Sequence, residues 1–271
     1  MDALGLVVID IDGTMVGPDL VVSIRLKRVL AELRARGAVV SVATGRMKRS
    51  ASRFAIEAGA SGPAVCYQGA MTFRPATGEV TRHERLNQEA ATRALEVFAS
   101  FGCHVNLYLD DEIYATSGND WSNGYQARQG LEIRLVEDLG PYAAQGATLL
   151  LGVAEPGVTG EIVAEALWRL RGVARVTHSL PHFCEIGSPR AGKERAVAAI
   201  AAGMGIGREQ VVAFGDGAGD AGMLEWAGLG VAIDGGHADA TAAADRGAPG
   251  PGNDGVAEVL EELLAAGRMC G

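Results

Sequence analysis

Apolar and polar positions fall into blocks along this chain, and the period of the blocks changes. Residues 4–9 are apolar almost without interruption and rich in β-branched side chains. A run that short, apolar on both faces, reads as a strand covered on both sides, as in a parallel sheet. Residues 23–36 then place Ile24, Leu26, Val29, Leu30 and Leu33 at helical spacing, and Gly37 is a natural stop. A second apolar run at 38–43 completes a β-α-β unit. Residues 48–58 read as a helix and 63–67 as a third strand. The same alternation resumes late in the chain, with helix 193–204, strand 211–214, helix 221–227, strand 230–233 and helix 255–266. A Gly/Pro-rich stretch, 247–252, reads as a loop before the last helix.

The middle has a different rhythm. Residues 79–85 are polar and alternating, and 88–101 are helical. Residues 105–109 and 112–115 suit a hairpin across Asp110-Asp111, 147–153 suit a strand and 160–170 a helix. A pattern that starts, stops and resumes implies an insertion. The expectation is an α/β fold: a Rossmann-like, doubly wound parallel-sheet core from 1–82 and 188–271, with an inserted α+β domain at 83–187.

Composition narrows the partners. With 271 residues and 48% hydrophobic, the chain can bury a core. A net charge of -9 and a pI of about 5.1 disfavour a nucleic-acid backbone or an anionic membrane. A small anionic substrate would need a local positive site. Cys66, Cys103, Cys184 and Cys270 are widely spaced, which points to inert thiols in a reducing cytoplasm rather than zinc or disulfides. The N-terminal apolar stretch is broken by Asp10 and Asp12, so it reads as neither a signal peptide nor a membrane span.

Polar clusters follow the apolar runs, and open α/β sheets bind ligands at the C-terminal ends of their strands. In Asp10-Ile11-Asp12-Gly13-Thr14, an extended chain puts Asp10 and Asp12 on one face. Two such carboxylates call for a hard cation such as Mg²⁺. The plainer reading is an acidic turn capping a helix. Thr44-Gly45-Arg46 offers a hydroxyl, an open backbone amide and a guanidinium, a phosphate clamp or an ordinary helix cap. Lys193 opens a helix, where the helix dipole disfavours it unless an anion binds there; a solvated lysine is the alternative. Gly215-Asp216-Gly217-Ala218-Gly219-Asp220 again sets carboxylates after a strand. Residues 217–222 also match G-x-G-x-x-G, a dinucleotide-binding pattern, but that reading leaves Asp10, Asp12, Thr44 and Lys193 without roles.

Together, D-x-D-G-T at 10–14, T-G-R at 44–46, the lone Lys193 and G-D-x-x-x-D at 215–220 resemble the haloacid dehalogenase-like superfamily of phosphatases. The inserted domain resembles the large cap of its Cof-type, class IIB branch. The resemblance implies a Mg²⁺-dependent phosphohydrolase for a small phosphorylated metabolite, a sugar phosphate favoured, with a cap that excludes water. It implies that Asp10 attacks phosphorus and Asp12 acts as general acid and base. It implies that Thr44, Gly45 and Lys193 hold the phosphoryl group, and that Mg²⁺ sits on the Asp10 carboxylate, the Asp12 backbone carbonyl and Asp216, with Asp220 behind. Arg46 and Gln68 are candidate substrate contacts, as are Tyr108, Tyr114, Trp121, Asn123, Tyr125 and His182 of the inserted domain. The chain departs from the family at two places: Gly219 and Gln68 stand where the family usually has Asn. The alternatives are a phosphomutase of the same fold and a non-catalytic phospholigand-binding protein.

Overall fold

The structure is a computed structural model that describes residues 4–120, 123–124, 127 and 130–267. The chain packs as two compact units, one built from Met1–Arg82 with Gly192–Gly271, the other from His83–Ala191.

The first unit opens with β1 (Leu6–Ile9), all four residues buried. Helix α1 (Ile24–Ala35) follows, its N-terminus capped by the Ser23 hydroxyl, which accepts from the Leu26 amide at 3.0 Å. It buries Leu26, Val29, Leu30 and Leu33, whereas Ile24 is 86% exposed. Ile24 lies two residues before Leu26, on the opposite side of the helix from that stripe. β2 (Val39–Val42), α2 (Lys48–Glu57) and β3 (Ala64–Cys66) come next. The strand expected at 63–67 ends at Cys66, because Tyr67, Gln68 and Gly69 turn with φ of 51°, 53° and 90°. β4 (Met71–Phe73) pairs antiparallel with β3, and β5 (Val80–His83) completes that small sheet.

The second unit contains α3 (Gln88–Ser100), β6 (His104–Leu109), β7 (Glu112–Ala115), β8 (Ile133–Leu135), the short α4 (Gly140–Ala143), β9 (Leu149–Val153), α5 (Pro156–Arg169), β10 (Arg175–Leu180) and β11 (Phe183–Gly187). Its sheet runs β10-β11-β9-β6-β7-β8. Leu107, Leu109, Leu150 and Ile186 pack on Ala94, Phe98, Ile162 and Ala166 of the two long helices. The β6–β7 hairpin turns through Asp110 and Asp111 at φ of 51° and 63°, the left-handed pair that a two-residue turn requires.

The chain then returns with α6 (Lys193–Gly203), β12 (Val211–Gly215), α7 (Ala221–Trp226), β13 (Leu229–Ile233), α8 (Ala238–Ala243), β14 (Arg246–Ala248) and α9 (Gly255–Ala265). The stretch expected as loop at 247–252 therefore begins in an edge strand, held parallel to β13. The main sheet of this unit is parallel throughout, in the order β14-β13-β12-β1-β2. Leu6 and Val8 pack toward α6 and α7. Val7 and Ile9, fully buried, point to the other face by strand alternation. Strand order reverses at β1, which puts the ends of β1 and β12 side by side at the switch point of the sheet. No described helix is long and apolar enough to cross a membrane.

Candidate active site

Asp10 leaves the buried end of β1, and its amide donates to the Phe214 carbonyl at 3.0 Å. That bond carries the β1–β12 register one residue past the strand and sets Asp10 beside Gly215-Asp216. Gly13 turns the chain back with φ of 78°. A Cβ there would lie 2.3 Å from Asp216 Oδ2, so the turn requires both the left-handed conformation and the missing side chain. Thr14 Oγ1 then donates to Asp216 Oδ1 at 2.7 Å. Sequence spacing gave Thr14 no role of its own, because its partner lies 202 residues away.

Lys193 sits at the first turn of α6, 3% exposed. Its ammonium donates to Asp10 Oδ1 at 2.7 Å and to Asp220 Oδ1 at 2.6 Å. Asp220 Oδ2 accepts from the amides of Asp216 and Gly217 at 3.2 and 2.9 Å. An internal carboxylate thus fills the glycine-rich turn that resembled a dinucleotide loop, and a pyrophosphate would have to displace it.

The second half of the site is built on Arg46. Its Nε and Nη2 donate to the two Asp12 oxygens at 2.7 and 2.5 Å. Nη1 donates to Ser50 Oγ at 2.9 Å, and the guanidinium lies 4.7 Å above the Phe54 ring. Ser50 and Phe54 follow Arg46 at helical spacing, the one sequence signal for this support. Arg46 is buried while the Asp12 side chain is 53% exposed, so a fixed cation holds a reachable carboxylate. Asp10 and Asp12 were expected to share a cation through their carboxylates; the Asp12 carboxylate instead has Arg46. Thr44 does not cap α2: its hydroxyl accepts from the Arg46 amide at 3.1 Å, and the helix begins after Met47.

Charge in the buried half is unbalanced. Asp10, Asp216 and Asp220 each offer an oxygen, all within 4.8 Å of one another, against the single Lys193 ammonium. Burial pushes the Asp10 carboxyl well above its ordinary range; Lys193 opposes this, and Asp220 and Asp216 add to it. Burial likewise raises Asp216, with Thr14 pulling the other way. Burial works to lower Lys193, but Asp10 and Asp220 overcome it and hold the lysine charged. Such an oxygen-only, net-negative cluster fits a hard divalent cation. Asp220 has both oxygens engaged, so Asp10 and Asp216 are the carboxylates best placed to bind it.

In the second unit, Tyr108 is buried and Tyr114 stacks on Tyr142 at 4.3 Å, both as packing. His182 meets the Ala154 carbonyl at 3.0 Å through Nδ1, and Asn123 is exposed. Trp121 and Tyr125 lie outside the described residues. Burial pushes the thiols of Cys103 and Cys184 up to about 11 and about 12, which makes them inert. The buried Cys66 thiol donates to the Met71 carbonyl at 3.6 Å, and Cys270 lies outside the described residues.

A sequence profile of haloacid dehalogenase-like hydrolases matches residues 7–260. The chain is 26% identical to the 5-amino-6-(5-phospho-D-ribitylamino)uracil phosphatase YitU of Bacillus subtilis, over 96% of this chain and 97% of that one. It is 27% identical to a phosphoglycolate phosphatase of Methanopyrus kandleri, again over 96% and 97%. Among solved structures, a haloacid dehalogenase-like hydrolase from Bacteroides thetaiotaomicron superposes with a TM-score of 0.85, at 25% identity over 96% of this chain and 99% of that one.

Proposed function

The chain belongs to the haloacid dehalogenase-like hydrolase family, and on that footing we propose that it is a Mg²⁺-dependent phosphohydrolase for a small phosphorylated metabolite, working through an aspartyl-phosphate on Asp10. The observation that carries this reading is the buried ammonium of Lys193 bridging Asp10 and Asp220. It holds one oxygen of Asp10 and leaves the other to attack. The relatives above are named for small phosphorylated compounds, which supports the substrate class, and a sugar phosphate is the favoured member.

Each residue then has a chemical task. Asp10 forms a bond to phosphorus as the bond from phosphorus to the leaving oxygen breaks. Asp12, half exposed and oriented by Arg46, gives its proton to that oxygen. In the second step Asp12 takes a proton from water, the water oxygen bonds to phosphorus, and the Asp10–phosphorus bond breaks. Splitting the reaction in this way replaces one difficult displacement by two. The Thr44 hydroxyl, the Gly45 amide and Lys193 hold the phosphoryl oxygens. Held by the Asp10 carboxylate, the Asp12 carbonyl and Asp216, Mg²⁺ would neutralise charge on the carboxylates and the phosphoryl group. Asp220 keeps Lys193 and the 216–217 backbone in place.

The test is phosphate release from sugar phosphates, nucleotides, pyridoxal phosphate and an aryl phosphate, with Mg²⁺ or EDTA. Release should require the metal, and Asp10→Asn should lose at least about four orders of magnitude in kcat with its fold intact by circular dichroism. Full activity in that variant would exclude the covalent mechanism.

A further inference from the structure

Two loops of the site have no side chain where they approach one another, and a third fills the gap. A Cβ on Gly45 would lie 2.6 Å from Gln68 Nε2, and a Cβ on Gly219 would lie 2.9 Å from Gln68 Oε1. The carboxamide of Gln68 therefore stands in a slot between the Thr44-Gly45-Arg46 loop and the Asp216–Asp220 turn.

The backbone that delivers this group is strained in a way that only outside contacts maintain. Tyr67 and Gln68 are non-glycine residues in the left-handed region, which side-chain-bearing residues adopt only at a cost. Their amides donate to the carbonyls of Arg46 at 2.9 Å and Thr44 at 3.1 Å. A Cβ on Gly69 would lie 2.2 Å from the Gly192 carbonyl, so the turn also seats against the start of the Lys193 helix. The strained turn is thus fastened to two of the segments that hold the proposed phosphate-binding groups, and Gln68 sets its carboxamide between Gly45 and Gly219.

We propose that Gln68 is a substrate-contacting residue: its carboxamide NH₂, from the slot between Gly45 and Gly219, donates to the phosphate of the bound substrate, and Gly219 is small so that this side chain fits. The proposal rests on the phosphohydrolase reading of the same site. It names a donor that Thr44, Gly45 and Lys193 do not include.

Three variants test it, each read by kcat/KM with Mg²⁺, by inhibition with inorganic phosphate and by melting temperature. Gln68→Ala removes the carboxamide. Gln68→Glu keeps its shape but replaces the donor with a carboxylate. Gln68→Ala/Gly219→Asn offers a carboxamide to the slot from the opposite loop. The expected result is a loss of about tenfold or more in both kcat/KM and phosphate affinity for the two single variants, larger for Gln68→Glu. Melting should stay within about 3 °C of wild type, and the double variant should regain about threefold or more over Gln68→Ala. Single variants within about twofold of wild type would overturn the proposal. So would a loss that the double variant does not regain, which would make Gln68 a packing element only. If the wild type neither turns over the panel nor binds phosphate, the phosphohydrolase reading falls and takes this proposal with it. If the wild type does either and the variants match it, the proposal alone falls.

Discussion

Gly13 and Thr14 show how much one or two atoms decide in this site. Gly13 has a left-handed φ and would place a Cβ 2.3 Å from the Asp216 carboxylate. Gly13→Ala should therefore cost about 1–3 kcal/mol of stability and about a hundredfold in kcat/KM, because the new methyl displaces Asp216. Steady-state kinetics beside a urea melt would check both. Thr14 acts through Asp216, to which its hydroxyl donates. Thr14→Val keeps the shape and loses that bond. The expected outcome is an apparent Mg²⁺ affinity weaker by about tenfold to a hundredfold, with most of the kcat restored at saturating metal. An unchanged metal titration would show that the bond does not tune Asp216.

Elements in this chain place groups according to where they end. β1 and β12 are short, fully buried and parallel, so neither can accept a polar residue inside; Asp10 and Asp216 occur at the first positions beyond buried backbone. Long periodic helices such as α1 and α3 were legible, since their buried stripes recur every three or four residues. β10, with the sequence RVTHSL, and the three-residue β8 and β14 were not, because a short polar strand has no periodicity of its own and exists through its neighbour. Packing between elements also sets limits that the pattern hides. A Cβ on Gly152 of β9 would fall 2.3 Å from Phe98 of α3. Gly152→Ala should destabilise by about 1–3 kcal/mol, and adding Phe98→Leu should recover part of that in a urea denaturation series.

Charge and protons act on the molecule as a whole. The chain carries a net charge of -9, and among the described residues Asp10, Asp216 and Asp220 form an acidic group close enough to share a cation. A cation bound there by the folded state alone stabilises it by mass action. Millimolar Mg²⁺ should raise the melting temperature of the wild type, and Asp216→Asn should abolish most of that rise. His83 supplies a second linkage. Burial, then Arg85, lower it from its ordinary 6.5 to about 4, and its Nε2 lies 2.8 Å from Thr148 Oγ1. Between those values the unfolded chain binds the proton and the folded chain does not. Stability is therefore complete above pH 6.5 and falls as the pH drops toward 4. Allowing for the partial exposure of the ring, the contribution is about 1–2 kcal/mol. Melting curves across that window should be flatter for His83→Gln than for wild type, and equal slopes would remove His83 as the source.

The sequence by itself determined the class of fold and the kinds of atom at the site. Buried parallel strands must be continuously apolar, and the motifs of Asp10, Thr44 and Asp216 each follow one; Lys193 joined them through the resemblance of the whole motif series to a known family. Which of these atoms meet was decided by tertiary structure. Asp12 and Arg46, Thr14 and Asp216, and Lys193 with both Asp10 and Asp220 are pairs separated by 34, 202, 183 and 27 residues. No local period encodes such distances. The same holds for Gln68, whose neighbours Gly45 and Gly219 are defined by missing side chains, and a glycine in a sequence does not say whose atoms will occupy the space it leaves. Strand order and the backbone bonds from Tyr67 and Gln68 to Arg46 and Thr44 brought those loops together, and only there does a small residue on one loop become room for a large one on another.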